Sequence, residues 1–234
     1  MEISTTQRRT LAAGLVGGAF CFTLADLVRR VVEPATPSPS TLTRAVADHP
    51  SLWLLAGLLS AATAFLLPPA MVMVPAIVRG RGHRLTTTGA ALTGIGAVAA
   101  AVHAAGYFGT YGIYASSGAD RSAVRAMESG SEGYPFFTVF IVLFMAGMLL
   151  GPLLLGIGLR RARLVPVWVP VAALVFAATG GTSGVWPGVI GLLAAAATFV
   201  PVAMALVGRP VRQPGSARSQ SRTSRAWVFG GKTG

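Results

Sequence analysis

The sequence predicts an all-α, polytopic membrane bundle of six transmembrane helices with both termini in the cytoplasm. Three observations carry that prediction. The 234 residues are 53% hydrophobic and only 11% charged, where soluble domains carry about 25% charged residues. Apolar runs recur along the chain at the length of a bilayer crossing, about 20 residues. The net charge of +12, from 19 basic against 7 acidic residues, is concentrated in short loops and a tail beside those runs. Such a balance fits the positive-inside distribution of a membrane protein, and no nucleic-acid partner is expected from it.

The spans follow in order. Residues 1–10 form a short polar cytoplasmic lead carrying Arg8 and Arg9, and residues 11–32 form the first span. Arg8-Arg9 before an apolar run resembles a secretory or twin-arginine signal. No A-x-A site follows, and Phe20 spoils a lipobox at Cys21, so the segment reads as a retained anchor. Residues 33–50, rich in Pro, Ser and Thr, read as a loop. The second span, 51–78, opens on Trp53, expected as an interface anchor. Pro68-Pro69 within it predicts a bend or break, because proline lacks an N–H and clashes with the preceding turn.

The third span covers 85 to about 107. The polar stretch 112–135 suits the outer face, with a short surface helix over 119–127. Residues 136–159 form the fourth span. Residues 164–179 form a fifth that is short for a crossing, and 185–207 the sixth. The spanning domain is therefore 11–207, followed by a basic, disordered cytoplasmic tail over 208–234.

Arginine fixes the sidedness. The loop with Arg79, Arg81 and Arg84 and the hairpin with Arg160, Arg161 and Arg163 resist crossing, so both are placed in the cytoplasm. The outer segments are then left with Arg29, Arg30, Arg44, Arg121 and Arg125. The tail bases Arg209, Arg212, Arg218, Arg222, Arg225 and Lys232 predict attraction to anionic lipid headgroups, about 1 kcal/mol each near a membrane. Bilayer lipid is accordingly the expected partner, and Trp227 and Phe229 could dip into the interface. A fifth span that turned back would instead leave the tail outside.

Chemistry-bearing side chains inside the spans are few. An ionisable group at the bilayer centre costs about 2.5–3.5 kcal/mol on insertion scales and calls for a reason. Asp26 and His103 lie at similar depth, about 23–27 Å along their helices. Gly89, Thr93, Gly96, Ala100, His103 and Tyr107 recur at spacings of four and three, one helix stripe of mainly small residues that should face a neighbouring helix. Tyr111 and Tyr114 extend it if the helix continues. The sharper expectation is a polar cluster or ligand site of Asp26, His103 and Tyr107 between the first and third spans. The plainer one is a satisfied interfacial His and an Asp26 paired with Arg29 and Arg30 at i+3 and i+4.

Other patterns carry no activity. Gly94-Ile-Gly-Ala-Val-Ala99 fits a dinucleotide fingerprint but lies inside a span with no strand before it. Glycines spaced by four at Gly14/Gly18, Gly147/Gly151 and Gly184/Gly188 indicate close helix contact, within the bundle or in a homo-oligomer. One cysteine excludes an internal disulfide, and His49 and His83 fall in loops on opposite sides. No metal and no cofactor is expected.

The run Gly147-Met-Leu-Leu-Gly-Pro-Leu-Leu-Leu-Gly-Ile-Gly-Leu-Arg-Arg-Ala-Arg-Leu-Val-Pro-Val-Trp168 resembles a family of small six-helix integral membrane proteins of high-GC Gram-positive bacteria, classed as a domain of unknown function. Near-exclusive use of arginine over lysine agrees with a GC-rich genome. The resemblance implies a multi-pass plasma-membrane protein and transfers no catalytic residue. The functional expectation is a non-catalytic accessory or structural membrane protein. A small-solute or ion transporter or channel, and a membrane-embedded enzyme acting on lipid, are the rivals.

Overall fold

A computed structural model describes residues 4–33, 39–132 and 134–208; the basic tail from Arg209 onward lies outside the described residues. All regular structure among them is helical: α1 (Thr5–Val32), α2 (Pro39–Asp48), α3 (Pro50–Met73), a 3₁₀ turn (Val74–Ile77), α4 (His83–Ser117), α5 (Arg121–Glu132), α6 (Pro135–Arg161), α7 (Trp168–Gly180) and α8 (Val185–Gly208). Five helical segments are long and apolar enough to cross a membrane: Thr5–Val32, Pro50–Ile77, His83–Ser117, Pro135–Arg161 and Val185–Gly208. Large apolar side chains point outward along them, with Phe65 79%, Val72 76%, Trp186 77% and Met204 69% exposed. A water-facing surface would not carry so many, whereas lipid solvates them.

Small residues decide which helices touch, because lipid tails are as apolar as leucine and association rests on close packing. The most extensive contact joins α4 to α6. There a Cβ placed on Gly96 would lie 2.8 Å from the Gly147 backbone, and one on Gly151 would meet Thr93. Gly89 faces the Leu155 backbone, and Gly158 faces Thr86. The Gly14/Gly18 pair seats α1 on the α3 backbone at Leu66 and Leu67, and Gly188 of α8 receives the aliphatic part of Arg30. The Gly14/Gly18 and Gly147/Gly151 pairs are thus engaged inside the bundle, whereas Gly184 lies in the turn before α8 and only Gly188 of its pair packs on another helix.

Those contacts set the directions. The Arg79–Arg84 loop ends on Gly82, whose φ of +91° requires glycine and which lies against Gly158 and Ala162 at the end of α6. The two arginine-rich hairpins therefore sit side by side at one end of the bundle. At the opposite end Arg30 of α1 reaches the turn between α7 and α8, donating to the carbonyls of Thr182 (2.6 Å), Thr179 (3.0 Å) and Gly184 (3.2 Å). α7 has only 13 residues, about 20 Å of helix, yet it begins beside Gly156 of α6 and ends in that far turn.

Several boundaries differ from expectation. The α-helix starts at Thr5, inside the supposed lead, because Ser4 and Gln7 form a reciprocal capping box (3.2 and 2.9 Å). α3 runs through Pro68 and Pro69 without a break; the change falls at Val74, where the last turn tightens to 3₁₀ around Pro75. The supposed loop 33–50 contains α2, whose Leu42 and Val46 are 1% exposed. α4 continues past Tyr107 to Ser117, ending on Gly118 at φ +64°. Trp53 is buried within the protein: it is 2% exposed, packs on Tyr107 and Phe108, and donates its Nε1–H to the Phe108 carbonyl at 2.9 Å. Together with Val32, Leu42, Val46, Tyr111, Tyr114 and Val124 it builds a second, smaller core under α2 and α5.

Candidate functional site

Where α1, α3, α4, α6, α7 and α8 diverge, a cavity of about 260 Å³ opens at the end of the bundle that carries the α7–α8 turn. Its polar wall belongs to α1 and α4. Asp26 and Arg29 come from one, His103 and Tyr107 from the other, and Ser60, Thr23 and Thr179 add hydroxyls. The rest is apolar: Phe22, Phe108, Phe144, Met145, Met148 and Phe176. Small residues make the space, with Ala25 of α1, Ala100 and Ala104 of α4, and Gly188 and Gly191 of α8 lining it.

Asp26 is gripped by its own helix. Oδ1 accepts from Arg29 Nε at 3.2 Å and Nη2 at 2.9 Å, and Oδ2 accepts from Arg30 Nε at 2.6 Å. The spacings i+3 and i+4 place both guanidinium groups over the carboxylate. Arg30 is 1% exposed, and its remaining bonds to three carbonyls satisfy a cation that would otherwise be costly to bury. Arg30 is buried behind the lining, so Arg29 is the guanidinium that faces the cavity. Arg29 is the accessible partner, 24% exposed against 1% for Arg30, and it interacts with Tyr107 across the cavity.

The anticipated direct contact of Asp26 with His103 is not made. Both carboxylate oxygens already accept from guanidinium groups, so the residues share a cavity wall and not a hydrogen bond. His103 lies between Tyr107 (ring centroids 5.9 Å) and Phe144 (5.6 Å), nearly parallel to each at 21° and 19°. Its half-buried ring lines the cavity and makes no hydrogen bond to any described residue. The stripe reasoning places the rest correctly, since Gly89, Thr93, Gly96, Ala100, Tyr111 and Tyr114 are all buried.

Reasoning from sequence missed Arg30 as a structural tie, and it missed Ser60, Phe144 and Phe176 as wall residues. The signal for Arg30 was available as an i+4 partner on the inward face of α1; the wall residues depend on helix order, which spacing does not encode. No group of three or more His, Cys, Asp or Glu able to hold a metal occurs among the described residues. Comparison with family models, curated proteins and solved structures finds no match to this chain.

Proposed function

We propose that this chain is a plasma-membrane protein of six spans, both termini cytoplasmic, that binds a small amphiphilic anion without transforming it. The sidedness is inferred from arginine: the 79–84 and 160–163 hairpins share one end of the bundle, which the positive-inside rule assigns to the cytoplasm. The sixth crossing is α7. Its end-to-end course between Gly156 and the Arg30-bound turn supports a full passage despite its 13 residues. The cavity then opens toward the outer leaflet.

One observation carries the binding reading. A cavity walled by Phe and Met has a single polar side, and that side bears the partly exposed Arg29 guanidinium, an imidazole free of hydrogen bonds to any described residue and a phenol. An apolar body would fill the aromatic part, and a carboxylate or phosphate would meet Arg29, His103 and Tyr107. Below the cavity α4 and α6 meet backbone to backbone at Gly96 and Gly147, and Leu15, Leu67, Leu155 and Val202 fill the bundle with no exposed surface. This closed floor favours binding over passage.

Thermal unfolding in lipid nanodiscs with octanoate, octanol or octylammonium tests the reading. Octanoate should raise the midpoint, octylammonium should not, and Arg29→Gln should remove the octanoate effect. Equal shifts with all three, or none, would reject it.

A further inference from the structure

A second concavity lies on the outside of the bundle, where α3, α4 and α6 part toward lipid. It has a volume of about 550 Å³ and is walled by Pro68, Val72, Ala91, Ile95, Val98 and Leu143. On α4 its residues Thr87, Ala91, Ile95 and Val98 follow one another at spacings of three and four, so they form one face. From Thr87 to Val98 that face runs about 17 Å, close to one leaflet of a hydrocarbon core of about 30 Å.

Arg84 stands three residues before Thr87, on the same face, at the arginine-rich end of the bundle. Its side chain is exposed, and no ion pair or hydrogen bond engages it. The acidic residues of the described segments, Asp26, Glu33, Asp48, Asp120, Glu128 and Glu132, all lie toward the other end, so none of them can neutralise it. A long basic side chain at this depth extends toward the headgroup layer.

From this juxtaposition we propose that the α3–α4–α6 groove holds an acyl chain of an anionic phospholipid whose phosphate is bound by Arg84. Depth and length suit a single lipid chain, and a guanidinium without an acidic partner among the described residues selects an acidic headgroup over a zwitterionic one. The site is separate from the internal cavity, which lies on the other side of α4 and at the opposite end.

Native mass spectrometry of the detergent-solubilised chain with equimolar phosphatidylglycerol and phosphatidylcholine tests it. One phosphatidylglycerol should be retained preferentially. Arg84→Gln should cut that preference roughly fivefold, the worth of one base toward anionic lipid, while Arg44→Gln at the far end should leave it unchanged. Ala91→Phe, which fills the groove, should lower retention of both lipids. Equal retention of the two lipids, an Arg84→Gln variant like the parent, or a dimer whose Ala91→Cys side chains cross-link would each overturn the proposal.

Discussion

Arg30 is a charged residue with almost no exposure in a chain otherwise built to face lipid. Its burial is tolerable because a carboxylate and three carbonyl oxygens surround it, and hydrogen bonds to charged groups are worth about 1.5–3 kcal/mol each. It also ties α1 to the α7–α8 turn. Arg30→Ala should therefore destabilise the protein by about 3 kcal/mol or more, with Arg29→Ala costing under about 1 kcal/mol, as read from denaturant unfolding in detergent. Asp120 acts at the same scale outside the spans. Its carboxylate accepts from the Ser122 hydroxyl and amide (2.7 Å each) and the Ala123 amide (2.9 Å), capping α5. The Ser122 hydroxyl foremost, then the two amides, hold it below the usual carboxylate range. Since the folded pKa is the lower one, the cap's contribution is full above the unfolded pKa and is lost as pH falls through the folded value. Hydrogen exchange in α5 should quicken over that acid range, and Asp120→Ala should show the fast rate already at neutral pH.

At the scale of elements, the α4–α6 crossing holds the bundle, and glycine makes it. Gly96→Ala should be strongly destabilising, because the new methyl group would lie 2.8 Å from the Gly147 backbone with nothing flexible to yield. Gly109→Ala, on the same helix with nothing within 4 Å, should be neutral or stabilising by about 0.5–1 kcal/mol. Melting temperatures of the pair separate close packing from helix propensity. The small residues of this crossing were legible in the sequence, Gly89, Thr93 and Gly96 as a stripe and Gly147/Gly151 as a pair, but their meeting each other was not, since spacing does not encode helix order. The α2 helix was not, because Pro, Ser and Thr masked the Leu42/Val46 spacing that buries it. The burial of Trp53 was not legible either. Aromatics near a span end suggest an interface, and only the folded α4 extension with Tyr107, Phe108 and Tyr111 reveals the core it joins.

For the molecule as a whole, composition was enough to indicate a helical membrane bundle, and arginine placement enough to propose its sidedness. Depth and stripe brought Asp26, His103 and Tyr107 to one cavity, but spacing within a helix could not tell that the carboxylate would be taken by Arg29 and Arg30. The account rests on α7 carrying the chain from the arginine-rich end to the cavity end across the bilayer. Impermeant maleimide labelling of intact cells tests that most directly, using single cysteines in a Cys21→Ser background. Ser117→Cys and Ser183→Cys should label from outside, and Arg81→Cys and Arg161→Cys should label only after lysis. Protection of Ser183→Cys in intact cells, with Ser117→Cys labelled, would contradict the crossing and the outward cavity together.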